Sequence, residues 1–252
     1  MIILSIGTTH PWNTAGLGLD LQVGAELGAH VCTIVTAVAA QGKAGVTAIE
    51  TMPTSNVRKQ LETVDRDDIA AIRVGALTSL ENVGLIAETL RTHRRIPAVV
   101  DPIMAATLGG TAFASEATVQ AMRERIATLP NVILTPNLRE AAILLGSDEL
   151  DRDAIGTAAT TLQRLGSRAV LVKGGHLHGN PVDALATAEH IEMFGGERLD
   201  HDMRGTGCVL AMSLAFYLAR GDELRMAVQH ARAFVRKKIK GARQFGELRV
   251  AY

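Results

Sequence analysis

The chain has 252 residues, of which 47% are hydrophobic and 21% are charged, a composition typical of a globular protein with ample material for a core. Basic and acidic residues balance at 26 each, so there is no net positive field to hold nucleic acid. Two cysteines exclude a disulfide scaffold and favour a reducing, cytoplasmic setting, with a pairing between them left open. Residues 1–6 lack the basic segment of a signal peptide. The apolar stretch from Cys208 to Ala219 is too short to cross a membrane, so it predicts a buried helix.

Short apolar runs alternate along the chain with segments of helical spacing. The predicted strands cover 2–6, 31–40, 70–74, 97–100, 132–134 and 168–172, followed by a hairpin over 183–188 and 190–194. The predicted helices cover 15–27, 56–64, 79–92, 115–127, 138–145, 151–165, 208–219 and 223–240. This alternation favours an α/β fold with a mainly parallel central sheet and helices on both faces. No linker, low-complexity tract or internal repeat interrupts it, so we expect one domain over residues 1–252.

Polar side chains follow three of the predicted strands. Asp101 comes directly after one strand, Asn137 and Glu140 follow the next, and Lys173 follows a third. Each is common alone, since an aspartate there is often a turn residue, the Asn–Glu pair a helix cap and the lysine a surface residue. In parallel α/β sheets, however, ligands bind beyond the carboxyl ends of the strands. The shared edge therefore predicts a binding site.

The sequence Arg204-Gly205-Thr206-Gly207-Cys208 leads straight into the predicted buried helix. The first N–H groups of a helix have no partners inside it, and with the helix dipole they form a socket for an anion. A thiol at this position has a lowered pKa, so we expect Cys208 to be partly thiolate near neutral pH. An anion socket beside a base is what a kinase acting on an alcohol requires. The alternative is that the glycines only shape a turn and Cys208 is a small buried residue.

These residues supply what phosphoryl transfer needs, which is mostly positioning and charge stabilisation. Asn137 and Glu140 would place a magnesium ion through water, with Asp101 near the same metal or the transferring group. Lys173 would neutralise phosphate charge. The amides of residues 205–208 would hold the moving phosphoryl group, while the thiol takes the alcohol proton. The expected contacts to ATP come from Lys173, Thr206 and Asn137.

Six segments carry a signature in their order and spacing. They are AGLGLDLQ at 15–22, IVTAVAAQ at 34–41, DPIM at 101–104, TPNLREA at 135–141, VKGGHL at 172–177 and GTGC at 205–208. Together they resemble the hydroxymethylpyrimidine kinase/phosphomethylpyrimidine kinase family of thiamine biosynthesis, over nearly the whole chain. The resemblance implies a ribokinase-like three-layer fold, and phosphorylation of a hydroxymethyl group and then of the resulting monophosphate, with ATP and Mg²⁺. It also implies a homodimer, because members of the family are commonly dimers.

The family's residue roles carry over to the matching positions of this chain. The resemblance implies that Cys208 is the base, that Gly205, Thr206 and Gly207 form the anion hole, that Asp101 and Lys173 lie at the phosphate and metal site, and that Asn137 and Glu140 support the metal. It also implies that Gln41 donates or accepts a hydrogen bond at the pyrimidine and that Asp20 lies near the substrate.

The first loop departs from the family pattern. Family members carry a sequence like GSDSSGGAG there, whereas this chain has GTTHPWNTAG from Gly7 to Gly16. Pro11 and Trp12 therefore stand where the substrate is bound, and Trp12 would stack on a heteroaromatic ring or pack on the protein surface. Other departures are Gly42-Lys43 after Gln41, Arg204 before GTGC, and residues 106–109. The phosphate residues are retained while the substrate residues differ.

Three functions remain open from the sequence. The leading hypothesis is a kinase for hydroxymethylpyrimidine and its phosphate. The second is a kinase of the same fold for another heteroaromatic alcohol, such as pyridoxal or pyridoxine. The third is a catalytically weak protein that binds a pyrimidine or a nucleotide as a sensor. Nothing in charge or motif supports a nucleic-acid or membrane partner.

Overall fold

The computed structural model describes residues 1–65, 67–105, 111–147, 149–175, 179–246 and 248–250. Two stretches discussed above fall outside these ranges. They are residues 106–109, where the sequence departs from the family, and the His176-Leu177 end of the VKGGHL segment.

Nine strands form one sheet in the order β3-β2-β1-β4-β5-β6-β7-β8-β9. They are β1 (Ile2–Thr9), β2 (His30–Gly42), β3 (Gly45–Thr51), β4 (Ile69–Val74), β5 (Ala98–Val100), β6 (Val132–Leu134), β7 (Ala169–Val172), β8 (Val182–Ala186) and β9 (Ile191–Gly195). Six neighbouring strands, β2, β1, β4, β5, β6 and β7, run parallel, and β3, β8 and β9 pair antiparallel at the two sides. The carboxyl ends of six neighbouring strands therefore meet at one edge.

Helices cover both faces of this sheet. They are α1 (Gly16–Leu27), α2 (Thr54–Glu62), α3 (Leu80–Thr92), α4 (Glu116–Arg125), α5 (Leu138–Leu145), α6 (Ile155–Gln163), α7 (Thr206–Ala219) and α8 (Leu224–Lys240). One buried core joins the sheet to α2 through α6, and a second joins its other face to α1, α7 and α8. The predicted three-layer architecture with a mainly parallel sheet is confirmed. Helix α7 is apolar on nearly every side, as a buried helix must be.

Several helix ends carry residue types that are typical of caps. The side chains of Ser79 and Ser115 accept the backbone N–H groups of Asn82 and Thr118 at the starts of α3 and α4. Gly146 ends α5 in the left-handed conformation, with φ 71°. Helix α2 is an exception, because it begins at Thr54 after Pro53, two residues earlier than expected.

The sequence prediction missed the two antiparallel additions outside the parallel sheet. Strand β3 pairs with an extended β2, and its sequence GVTAIET carries too little apolar alternation to stand out. A small hairpin of β10 (Arg243–Phe245) and β11 (Leu248–Val250) follows α8. Helix α6 covers Ile155–Gln163, with Ala154 and Arg164 flanking it, and is therefore shorter than the predicted 151–165. Strand β1 continues to Thr9 because Thr8 and Thr9 still pair with Ala37 and Val38.

The two cysteines are free and lie on opposite faces of the sheet, so the pairing left open by the sequence is excluded. Within the described ranges, no helix is both long enough and apolar enough to cross a membrane.

Candidate active site

The parallel sheet brings the predicted polar residues to one edge. Backbone bonds link neighbouring strand ends there: Asp101 N donates to Val74 O at 2.9 Å, and Lys173 N donates to Pro136 O at 2.8 Å. A further bridge pairs Asn137 with Lys173 directly. The side chains that follow β5, β6 and β7 thus lie next to one another, as the sequence predicted.

An ion pair between Lys173 and Asp101 is the centre of this edge. The Lys173 Nζ atom donates to Asp101 Oδ1 at 2.6 Å, and only 15% of the lysine side chain is exposed. Burial alone would lower the pKa of Lys173, but Asp101 and Glu140 outweigh it and raise the pKa. A side chain on Gly207 would begin 3.3 Å from Lys173 Nζ and 3.4 Å from Asp101 Oδ2. The first turn of α7 therefore meets the ion pair directly.

Asn137 and Glu140 form a capping box at the start of α5. Asn137 N donates to Glu140 Oε2 and Glu140 N donates to Asn137 Oδ1, both at 2.8 Å. The cap that the sequence left as an alternative is therefore present, and one oxygen of each side chain is engaged in it. Glu140 is buried, and burial raises its pKa to about 7, with Asp101 adding to the shift and Lys173 opposing it.

The first turn of α7 is open to a ligand. Gly205 precedes the helix with φ 79°, in the left-handed region that glycine adopts without strain, and offers no side chain to cap the turn. Val209 N bonds to Gly205 O, while the amides of Thr206, Gly207 and Cys208 have no carbonyl within the helix to accept them. These amides lie at the positive end of the helix dipole, where the sequence predicts an anion socket.

The expectation of a lowered thiol pKa at Cys208 is wrong for the free protein. The residue is buried against the core of α1, α7 and α8, and this burial raises the pKa of the thiol. The Arg73 guanidinium and the Gly16 N–H lower the pKa, whereas Asp20 and Asp101 raise it further, and the net shift is upward. Desolvation thus outweighs the helix terminus.

Asp20 lies deeper than the sequence indicated. Its side chain is fully buried, its Oδ2 atom accepts the Ser5 hydroxyl at 2.7 Å, and Arg73 Nη1 lies 3.0 Å from the same oxygen. Burial raises the pKa of Asp20, while Arg73 and Ser5 oppose the shift. The Oδ1 atom has no hydrogen-bond partner within the described residues. Sequence reasoning missed both partners, because an arginine inside a strand and a serine inside an apolar run carry no motif.

The residues predicted for the substrate lie at the other end of the site. Gly7 is inside β1, not in the loop, and Trp12 is 44% exposed with Lys43 Nζ 5.2 Å above its ring. Gln41 lies in β2, paired with Val46 of β3. Beside them His10 is buried, and its ring nitrogens have no hydrogen-bond partner in the described part of the chain.

The side chains at this edge fit a magnesium ion held partly through water. Magnesium prefers a few carboxylates, phosphate oxygens and retained waters. Asp101 and Glu140 supply two buried carboxylates, although Asp101 already binds Lys173 and the Asn137 oxygen caps α5. Among the described residues, no group of three or more His, Cys, Asp or Glu side chains is placed to hold a metal alone. The fit therefore depends on the phosphates of a nucleotide as further ligands.

This site is suited to phosphoryl transfer. It combines a buried lysine and two carboxylates with an uncapped helix start beside a thiol. Comparison with known proteins gives the family. The sequence profile described as phosphomethylpyrimidine kinase matches residues 11–251, and the chain belongs to this family.

Curated relatives cover nearly all of the chain. It is 35% identical over 245 residues to the hydroxymethylpyrimidine/phosphomethylpyrimidine kinase of Rhizobium meliloti, covering 96% of this chain and 91% of the relative. It is 36% identical over 247 residues to the thiamine biosynthesis bifunctional protein ThiED of Geobacter sulfurreducens, covering 97% of this chain. The match spans half, 50%, of that longer relative.

Solved structures agree on the ribokinase-like fold. An ADP complex of Bacillus subtilis pyridoxal kinase superposes with a TM-score of 0.89 at 28% identity, covering 99% of this chain and 96% of the other. Phosphomethylpyrimidine kinase from Clostridium difficile gives 0.81 at 27% identity, covering 94% and 98%. Pyridoxal kinase from Staphylococcus aureus with AMP-PCP and pyridoxal gives 0.87 at 25% identity, covering 100% and 92%. The chain is thus a phosphotransferase, as the sequence predicted.

The first prediction concerns the Cys208 thiol. In a Cys32→Ser variant, Cys208 is the one thiol left, and the ultraviolet absorbance of its thiolate can be followed against pH. We expect the midpoint to lie above the ordinary value of 9.0, because burial disfavours the charged form. The Cys32→Ser/Cys208→Ser double variant gives the background. A midpoint at or below the ordinary value would contradict this account of the site.

The second prediction concerns Glu140. Its pKa is about 7 in the folded protein and 4.5 ordinarily, so the unfolded chain loses this proton first as the pH rises. The free energy of unfolding should therefore fall across that interval. Glu140→Gln keeps a capping acceptor but does not titrate. We expect the thermal unfolding midpoint of this variant, measured relative to that of the parent, to rise by roughly 2 °C or more between pH 5 and pH 8. The exposed Glu149→Gln is the control, and parallel profiles for Glu140→Gln and the parent would refute the prediction.

Proposed function

We propose that the protein phosphorylates 4-amino-5-hydroxymethyl-2-methylpyrimidine and its monophosphate in thiamine biosynthesis, with ATP as donor and Mg²⁺ as cofactor. The single observation that carries this proposal is the meeting of the Lys173–Asp101 ion pair with the open first turn of α7 beside Cys208. The relatives named above, including the bifunctional thiamine biosynthesis protein, support the pathway.

In the proposed reaction the hydroxymethyl oxygen attacks the γ-phosphorus of ATP and ADP leaves. The amides of Gly205, Thr206 and Gly207 stabilise the charge that develops on the phosphoryl oxygens, and Lys173 neutralises charge on the phosphates. Magnesium, near Asp101 and Glu140, would supply further neutralisation of the phosphate oxygens.

The proton of the attacking hydroxyl needs an acceptor, and we propose Cys208 Sγ. The thiol is largely protonated in the free protein, so the base must form in the liganded site. The interactions that favour the thiolate are already in place, because the Gly16 N–H donates to the sulfur and the Arg73 charge faces it. Thiolate then takes the hydroxyl proton as the oxygen–phosphorus bond forms.

The heteroaromatic ring would lie between the first loop and the β2–β3 pair. Asp20 would lie behind this end of the site, near the substrate, and Gln41 lies on β2 to bond the ring. A small apolar cluster of Ala39, Ala76 and Phe113 provides a wall of the kind that binds a flat ring. Trp12 and Gly7 complete this end as proposed, with Trp12 at the outer rim.

A pyridoxal- or pyridoxine-type kinase is the second candidate. The observation that favours it is the superposition on pyridoxal kinases, whose TM-scores of 0.89 and 0.87 exceed the 0.81 of the phosphomethylpyrimidine kinase. The phosphate end of the site is compatible with either alcohol. The substrates of the two candidate kinases differ in their heteroaromatic ring. The first loop and Gln41 would determine which ring is bound.

We further infer a single domain over residues 1–252, because both described cores pack on the same nine-stranded sheet. The two free cysteines support a reducing, cytoplasmic location. A homodimer follows from the family resemblance.

The third prediction concerns the substrate. Purified protein with magnesium should consume ATP when given hydroxymethylpyrimidine or its monophosphate, and more slowly with pyridoxal. Each alcohol is presented separately, with an ATP-only reaction as the control. Turnover with pyridoxal alone would establish the second candidate, and tight binding of a pyrimidine without any turnover would establish a sensor.

The fourth prediction concerns the base. Cys208→Ser replaces the thiol by a hydroxyl that does not ionise near neutral pH, so we expect kcat to fall about 100-fold or more. Affinity for an ATP analogue should stay close to that of the parent, because the amides are unchanged. Cys32→Ser, on the far face of the sheet, is the matched control. An unchanged kcat in Cys208→Ser would remove the thiol from the role of base.

A further inference from the structure

Arg73 is the largest fully buried side chain among the described residues, and its position is unusual for an arginine. It lies in β4, the strand between β1 and β5, and its guanidinium reaches the carboxyl edge of the sheet. Nη1 lies 3.0 Å from Asp20 Oδ2 and Nη2 lies 3.8 Å from Asp101 Oδ2, with both members of each pair buried. The guanidinium therefore connects the proposed substrate end of the site with the proposed phosphate end.

The backbone around Arg73 leaves room for this arrangement. A side chain on Gly75 would begin against the guanidinium, with its Cβ 3.1 Å from Arg73 Cζ. A side chain on Gly7 would begin 3.5 Å from Arg73 Nη1. Two glycines, Gly7 on the neighbouring strand β1 and Gly75 directly after β4 itself, thus border the space that the guanidinium fills.

The charges that act on Cys208 come from four places in the fold. Arg73 on β4 and Lys173 after β7 are positive, while Asp20 on α1 and Asp101 after β5 are negative, and the Gly16 N–H also points to the sulfur. Lys173 is already bound to Asp101 at 2.6 Å. Arg73 is therefore the main cation available to a thiolate, and its own pKa is raised by Asp20, Cys208 and Asp101 against the effect of burial.

We propose that Arg73 is a positioning residue for the kinase chemistry: it holds the Asp20 and Asp101 carboxylates in place and is the fixed counter-charge of the Cys208 thiolate. This inference rests on the proposed function. It assigns a task to a residue that no motif marks. A buried ion pair is weak evidence for a contribution to stability, since desolvation offsets much of the attraction. A role in placing and charging the reacting groups accounts for its burial at this position.

The test begins with a readout that needs no substrate. In the Cys32→Ser background, Arg73→Met should move the thiolate midpoint of Cys208 upward by about one pH unit or more, the usual effect of losing a close opposite charge. Arg73→Lys keeps the charge and should stay within about half a unit of the parent. Arg58→Met removes an exposed arginine paired with Glu88 and should leave the midpoint unchanged.

A second pair of variants covers the case in which Arg73→Met fails to fold, since it leaves Asp20 buried without its cation. Asp20→Asn and Asp20→Asn/Arg73→Gln carry no such carboxylate. The double variant should again titrate about one unit above the single variant. The proposal would be overturned if Arg73→Met had the same thiolate midpoint as the parent and Asp20→Asn/Arg73→Gln had the same midpoint as Asp20→Asn.

Kinetics then give the second readout. Arg73→Met should lower kcat about 100-fold while the KM for ATP changes less than about threefold, and Arg73→Lys should recover part of the loss. Full kcat in Arg73→Met would overturn the proposal. If the parent protein turns over none of the alcohols, the proposed function fails, and the thiolate midpoints still decide whether Arg73 is the counter-charge.

Discussion

A compact set of buried charges at the carboxyl edge of the parallel sheet is the feature on which the candidate site depends. Lys173 and Asp101 form its tightest pair, and Arg73 connects this pair to Asp20. Charges removed from water are costly unless they are paired, so each of these side chains constrains the position of the next. The first turn of α7 closes against this set because Gly207 has no side chain to keep it away.

The same burial governs the acid–base properties of the site. Desolvation raises the pKa of Cys208 and of Glu140, even though a helix start and a lysine lie close to them. The free protein therefore holds the proposed base in the protonated form, and in the proposed reaction the charges of bound phosphate and metal would change this balance. In this view, activation of the alcohol is linked to assembly of the complete complex.

Agreement between sequence and structure is greatest where local physics decides the outcome. The apolar runs, the serine caps of α3 and α4, and the Asn137–Glu140 capping box follow from residue types and spacing, and the fold class followed from their alternation. The disagreements concern burial and long-range pairing. The lowered thiol pKa was wrong, Gly7 lies inside β1, and β3 was missed because its partner β2 supplies the bonds that stabilise it.

The sequence by itself determined the family and the alternation of parallel strands with helices, because these depend on short motifs and on periodicity, and it predicted the residues that would handle phosphate. Only the tertiary structure decided which charges meet. Arg73 and Ser5 lie 53 and 15 residues from Asp20 and join it through the pairing of β1 with β4 and the packing of α1 on the sheet. No local pattern encodes such contacts, since they arise when separate strands place their ends at one edge.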